Sequence, residues 1–178
     1  MASQVEICND ALRMLAGRSI TSIDDDSAEA RVCKALYPLT RDEMLDEFDW
    51  RFATTRLELT ADVAEPISDW GYQYTLPTTV FRVIGVDDGS SEYLIEWERE
   101  GQKVMAGIAS PIYVKAIERV EDTSRFPPTF RAALTARIAA DACVPLTENH
   151  GRAERLLAVT GDPGRAAALS IVLLVMCL

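Results

Sequence analysis

The sequence contains a single histidine, His150, and only three lysines beside fifteen arginines. Its four cysteines, Cys8, Cys33, Cys143 and Cys177, lie far apart with no C-x-x-C pair. Structural zinc wants clustered Cys and His ligands, so no metal or cofactor is expected, and reduced, mostly buried thiols in a cytosolic protein are the simpler expectation. The opening residues MASQVEICND have no basic stretch followed by an apolar one, so the chain reads as folding in a reducing cytoplasm without a secretion signal. Long apolar runs are missing too. The uncharged stretch from Ala166 to Leu178 has thirteen residues, whereas a membrane helix needs about 20. It reads as a buried or partner-docked end, with a tail anchor as the alternative.

Positive charge is the other deficit. Eighteen Lys and Arg face 28 Asp and Glu, for a formal net charge of -10. A protein that holds nucleic acid by neutralising phosphates needs the opposite balance, so DNA should pass this chain and not stick to it, and an anionic membrane surface is equally disfavoured. What is present suffices for a core: 48% hydrophobic and 26% charged residues in a chain of 178 exclude a disordered or low-complexity polypeptide. That length suits one domain, or a domain carrying a modest insertion.

Ser3 and Glu6 make the S-x-x-E pattern of a capping box, and Val5, Cys8, Leu12 and Leu15 recur at helical steps, which predicts a helix over 3–16. Gly17 is placed to end it in the left-handed conformation. A second helix should begin at Asp26 or Ser27, with Asp24, Asp25 and Asp26 favouring the positive end of the helix dipole. Its inward stripe runs from Ala30 and Cys33 to Leu45 and Phe48, and Pro38 should kink or break it near 34–38. Trp50, Phe52 and Trp70 read as aromatic core anchors. Val80–Val86 reads as a strand, Asp87–Ser90 as a turn and Tyr93–Trp97 as the antiparallel return. Gly101 marks another turn before Lys103–Met105, and Pro111–Ile117 is a further strand. Pro127 and Pro128 open a helix that turns Phe130, Leu134 and Ile138 inward and is ended by Pro145 and the cluster 147–151. A last helix is expected over 152–158, with the break at 161–164 before the tail.

The expected fold is α+β and mainly helical: a helical bundle over 1–66 and 121–160, a small antiparallel β meander inserted over 67–120, and an apolar tail at 161–178.

Motifs for chemistry are few. There is no phosphate-cradling G-x-x-x-x-G-K-[ST] loop, no G-x-G-x-x-G turn, no H-E-x-x-H helix and no G-x-S-x-G elbow. The run Asp24-Asp25-Asp26 does not alternate ligands as a calcium loop does, and helix capping explains it. Asp87, Asp88, Glu96, Glu98 and Glu100 could supply an acid and a base for a cell-wall glycan hydrolase of a phage tail, the enzymatic alternative. A solvated strand face accounts for the same carboxylates.

Several segments taken in order carry a resemblance: Ile7-Cys8-Asn9-Asp10-Ala11-Leu12 with Leu15-Ala16-Gly17, then Ile20 through Ser27 with Glu29-Ala30. Leu36-Tyr37-Pro38, Arg41-Asp42-Glu43 and Leu45, Trp50-Arg51-Phe52-Ala53, Trp70, Tyr72, Tyr74, Leu76-Pro77 and Arg82-Val83 follow. Tyr113-Val114 and Phe126-Pro127-Pro128-Thr129-Phe130 complete the set. Over roughly residues 5–157 the chain resembles the tail tubular protein A type of head-to-tail adaptor from short-tailed bacteriophages. The resemblance implies a non-enzymatic structural protein of the virion, present in the host cytoplasm during assembly, with no cofactor and no membrane. Its implied partners are the portal protein, the tail or nozzle protein and further copies of itself in a ring, usually dodecameric, with DNA passing through the lumen. The C-terminus departs from the family: where a charged, alanine-rich helix and a docking arm belong, Thr160-Gly161-Asp162-Pro163-Gly164 leads into an apolar end. Leu169, Ile171, Val172 and Leu173 are the portal-docking candidates there, as a variant arm or as the product of a frameshifted or truncated prophage gene.

Overall fold

The computed structural model describes residues 3–90, 95–109, 111–147 and 155. The chain divides into two compact units, Met1–Met44 with Glu121–Leu178, and Leu45–Val120. The second unit therefore takes in the stretch 45–66, including the aromatic run Phe48–Phe52, that the sequence groups with the helices.

The first unit is helical. Helix α1 (Gln4–Met14) is capped as its sequence predicts. The Glu6 N–H donates to Ser3 Oγ at 3.2 Å, and the Ser3 N–H donates back to Glu6 Oε2 at 2.6 Å. At its other end Gly17 N–H reaches the Leu12 carbonyl at 2.9 Å and Ala16 N–H reaches Arg13 at 3.1 Å, the pattern of a left-handed helix stop. The left-handed residue is Ala16, with φ of 57°, and not the expected Gly17. The helix closes one residue early, and Gly17 serves as the second link of the stop, where a Cβ would meet the Leu12 oxygen at 3.4 Å, an ordinary contact.

Helix α2 (Ala28–Glu47) begins after Ser27, whose Oγ accepts the Ala30 N–H at 3.1 Å. It runs unbroken through Pro38, so the expected break is absent. Pro38 and Lys34 both lie on the exposed side, where water can satisfy the carbonyl that proline leaves without a donor. Helix α3 (Pro128–Thr147) starts at the proline pair and continues past Pro145 to Thr147. Its alanines 133, 136, 139, 140 and 142 are all buried, so small side chains clear a way for neighbouring helices on more than one side. Helix α3 packs against α1.

The second unit holds β1 (Thr54–Leu59), β2 (Tyr72–Thr75), β3 (Val80–Asp87), β4 (Trp97–Glu100), β5 (Lys103–Ala106) and β6 (Ile112–Glu118). They form two three-stranded antiparallel sheets, ordered β1-β6-β3 and β2-β5-β4. One cluster of buried residues draws on both, with Tyr74 and Val104 from one sheet and Val86, Ile112, Val114 and Ala116 from the other. The Tyr74 hydroxyl donates to the Ile108 carbonyl at 2.7 Å, which satisfies both polar groups inside the apolar core.

These sheets correct the expected fold class. The described structure is 41% helical and 23% strand, three helices with two antiparallel sheets: an α+β fold, not a mainly helical bundle with a small meander. The excess strand comes from β1 and β2, whose short segments carry no turn signal of the Asn-Gly kind. Trp97 is corrected too. It lies in β4 and pairs with Ala106 of β5, because the Gly101 turn, with φ of 59°, joins β4 directly to β5; of the expected return along β3, Ile95 keeps one bond, its N–H donating to the Val86 carbonyl at 3.3 Å. Tyr93 and Leu94 lie outside the described residues, as do most of the last expected helix and all of the apolar tail.

Replacing Ala16 by glycine relieves a non-glycine residue of the left-handed conformation, and the substitution is expected to stabilise the chain by about 1 kcal/mol. A thermal melt of Ala16→Gly checks this; an unchanged or lower melting temperature contradicts it.

Candidate functional site: an exposed apolar loop

Residues 60–71 connect β1 to β2 and carry an unusual composition. Ala61, Val63, Ala64, Pro66 and Ile67 alternate with Asp62, Glu65 and Asp69, with no Lys or Arg among them. Val63 and Ile67 are fully exposed, at 105% and 108% of their reference areas. An apolar side chain in that position gains nothing for folding.

Polar bonds hold the loop in shape. Strand β2 pairs with β5 so that Thr75 lies opposite Lys103, and both side chains reach the Asp62 carboxylate. Thr75 Oγ1 donates to it at 2.9 and 3.0 Å, and Lys103 Nζ pairs with it at 2.7 Å. The Asp62 N–H donates to the Gln73 carbonyl at 2.8 Å. Gln73, a buried amide, donates from Nε2 to the Ala64 carbonyl at 2.9 Å. At the far end Trp70 Nε1 donates to Glu98 Oε2 at 3.2 Å. Lys103 and Thr75 hold the Asp62 carboxyl below the usual carboxylate range, against a smaller opposing effect of desolvation.

What such an arrangement can do is present two exposed apolar side chains on a loop whose backbone is pinned at Asp62, Ala64 and Trp70. Sequence reasoning passed over Val63 and Ile67. The signal available was the alternation of acid and apolar residues without a cation, and it is a weak one.

The carboxylates singled out in the sequence do other work. Asp87 accepts the Gly89 N–H at 3.0 Å and faces Arg56 at 3.9 Å. Asp88 accepts the Ser90 N–H at 2.9 Å and its hydroxyl at 2.6 Å, which lowers its pKa, the wrong direction for a general acid. Glu96, Glu98 and Glu100 all lie on the exposed side, with Glu98 engaged by Trp70.

The three aspartates before α2 also separate. Asp24 pairs with Lys34 at 2.7 Å, and Asp26 lies 4.0 Å from Arg31. Asp25 accepts the N–H groups of Thr21 and Ser22 at 2.7 and 3.0 Å, and these bonds depress its pKa. Among the described residues, no group of three or more His, Cys, Asp or Glu is placed to hold a metal ion. No helix among them is long and apolar enough to cross a membrane.

In the helical unit the polar side chains that sink deepest are Thr40 and Arg41 of α2. Thr40 reaches Asp141 of α3 at 3.5 Å, and Arg137 approaches the same carboxylate at 3.6 Å, too long for a hydrogen bond. Burial raises the Asp141 pKa despite Arg137. Arg41 is satisfied by Asp42 at 2.7 Å with Glu121 at 3.7 Å.

Trp50, Phe52 and Trp70, expected as core anchors, are each only half-buried. Trp50 stands between Phe48 and Phe52 at ring-centroid distances of 5.9 and 6.0 Å, a partly exposed aromatic row. Leu169, Ile171, Val172 and Leu173 lie outside the described residues.

No protein-family model matches the chain, and no curated protein shows significant sequence similarity to it.

Because its carboxyl pKa is depressed in the fold, Asp62 contributes stability above the unfolded carboxylate pKa of about 3.9 and loses it as pH falls through the lower folded value. Asp62→Asn is expected to cost up to about 1 kcal/mol at neutral pH, a gap that closes in acid below about pH 4. Urea melts of both proteins across that range measure it, and a gap independent of pH contradicts the assignment.

Proposed function

We propose that the chain is a structural head-to-tail connector of a phage or prophage virion, assembling as a ring beneath the portal to join capsid and tail while DNA passes through. The observation that carries the reading is the coupling of the two segments that lead the resemblance. Asn9 of the Ile7–Leu12 segment donates from Nδ2 to the Ile20 carbonyl at 2.9 Å and accepts the Ile20 N–H on Oδ1 at 2.8 Å. The Ile20–Ser27 segment is folded in turn by Asp25 and ends at the Ser27 cap. The two segments that open the resemblance thus act on one another as one device, with Asn9 giving the Ile20 backbone both a donor and an acceptor.

Two further features support it. The surplus of acid over base suits a lumen that repels phosphates and lets a genome slide. The preorganised loop with Val63 and Ile67 outermost supplies apolar anchors for a neighbouring protein of the junction. A ring of this kind uses two different patches on each subunit and closes when their rotation matches the symmetry.

Electron microscopy of the chain mixed with its cognate portal at micromolar concentration is expected to show rings seated on the portal, and absence of any complex overturns the reading. Joint replacement of Val63 and Ile67 by Asp is expected to lower the yield of complex at least about tenfold while the melting temperature of the free chain is unchanged. Equal yields would remove the loop from the contact.

A further inference from the structure

We propose that copies of this chain join head to tail through opposite faces of the β-rich unit, the acidic 60–71 loop of one copy seated on a basic row of the next. The two sheets enclose one core, so each has a face turned away from it. In the sheet β2-β5-β4, Tyr74, Val104 and Trp97 are directed to the core, and Gln73, Thr75, Lys103, Met105 and Glu98 alternate with them. The loop bonds to Gln73, Thr75, Lys103 and Glu98. It therefore lies across that outer face, which accounts for the burial of Gln73 and Met105. Its Glu65 and Asp69 remain exposed beside Val63 and Ile67.

The outer face of the other sheet carries the opposite charge along its middle row. Leu57, Val114 and Ala116 pack on the core, so Arg56 of β1 and Lys115 of β6, which are Cα partners, project away from it side by side. Like charges directly opposite one another on a sheet repel. Arg56 is exposed and lies 3.9 Å from Asp87, beyond hydrogen-bond distance, and among the described residues nothing pairs with Lys115. Arg82, opposite Ile117 on the same sheet, is taken up by Asp49 at 2.7 Å. Glu58 and Asp87 stand in the next row, on either side of Tyr113. A chain of net charge -10 thus holds two cations together with no carboxylate of its own in close contact.

Glu65 and Asp69 of a second copy supply the missing counter-charges and relieve the repulsion, while Val63 and Ile67 bring the apolar contact that a charged rim encloses. Within one copy the core separates the loop from the basic row, so the chain cannot satisfy itself. The contact uses two different patches and repeats from copy to copy. Closure of that series into a ring rests on the connector reading above. Added salt weakens the pairing, because its charges lie at the surface.

The chain has three lysines, which suits a carbodiimide that joins lysine to a carboxylate in direct contact. Equal parts of unlabelled and heavy-nitrogen full chain are cross-linked at millimolar concentration, digested and analysed by mass spectrometry. Lys103 to Asp62 and Lys34 to Asp24, each at 2.7 Å, are expected to join within one copy and serve as controls. Links from Lys115 to Glu65 or Asp69 are expected to carry one label from each copy. The double variants Arg56→Glu with Lys115→Glu and Glu65→Lys with Asp69→Lys are each expected to weaken self-association at least about tenfold by sedimentation, and mixing the two is expected to restore it. Control links without mixed-label Lys115 links, or folded variants whose mixture stays monomeric, overturn the pairing, and the wild-type cross-links decide it if a variant does not fold. Rings on the portal alongside either result leave the connector reading standing, whereas copies that pair by these faces yet form no complex with the portal overturn that reading alone.

Discussion

The pairing of the first strand of the β-rich unit with the last one is the constraint on which that unit depends. β1 and β6 run antiparallel from Thr54 opposite Ile117 to Leu59 opposite Ile112. Everything between them in sequence is enclosed by that closure, whose entropic cost grows only slowly with the length of chain enclosed. β6 then serves both neighbours, pairing with β3 on its other edge, and its Ile112, Val114, Ala116 and Ile117 are fully buried. A strand used on both edges, with Ile112, Val114 and Ala116 buried along one face and Ile117 on the other, tolerates little change of register, since a shift by one residue would turn the three-residue apolar set to the opposite face.

Outside the sheets, single polar side chains take the place of regular structure. Asn9 holds the connector after α1 by offering Ile20 both a donor and an acceptor. Asp25 gathers two backbone N–H groups before α2, and Asp62 joins the β1–β2 loop to the far sheet through Thr75 and Lys103. Each does so with few atoms because a carboxylate or amide can satisfy several partners at once. That economy leaves Val63 and Ile67 free to face outward. In such a division polar groups supply shape, and apolar groups are left available for contact.

The parts legible in the sequence were those whose cause lies within a few residues. The Ser3–Glu6 box, the Pro127-Pro128 start of α3, the Gly101 turn and the apolar strands β3 and β6 all have local signatures, and each stands where those signatures place it. β1 and β2 had none, since six and four residues of mixed character become strands only when a partner supplies hydrogen bonds. Gly17 misled because glycine marks a helix end without specifying which residue turns left-handed. Trp50, Phe52 and Trp70 are half-buried, since aromatic size favours burial while the final exposure depends on what packs over each ring.

The sequence by itself determined where helices start, which segments alternate, and that the chain is acidic and poor in groups for metal or nucleophilic chemistry. Those properties follow from side-chain type and near-neighbour spacing. Only the tertiary structure decided that the strands divide into two sheets, that Asp62 ties its loop to Thr75 and Lys103, and that Val63 and Ile67 point away from the core. Each of those facts depends on residues far apart in the chain being brought together, and the energy that brings them together is apolar burial, which is non-directional and leaves no motif.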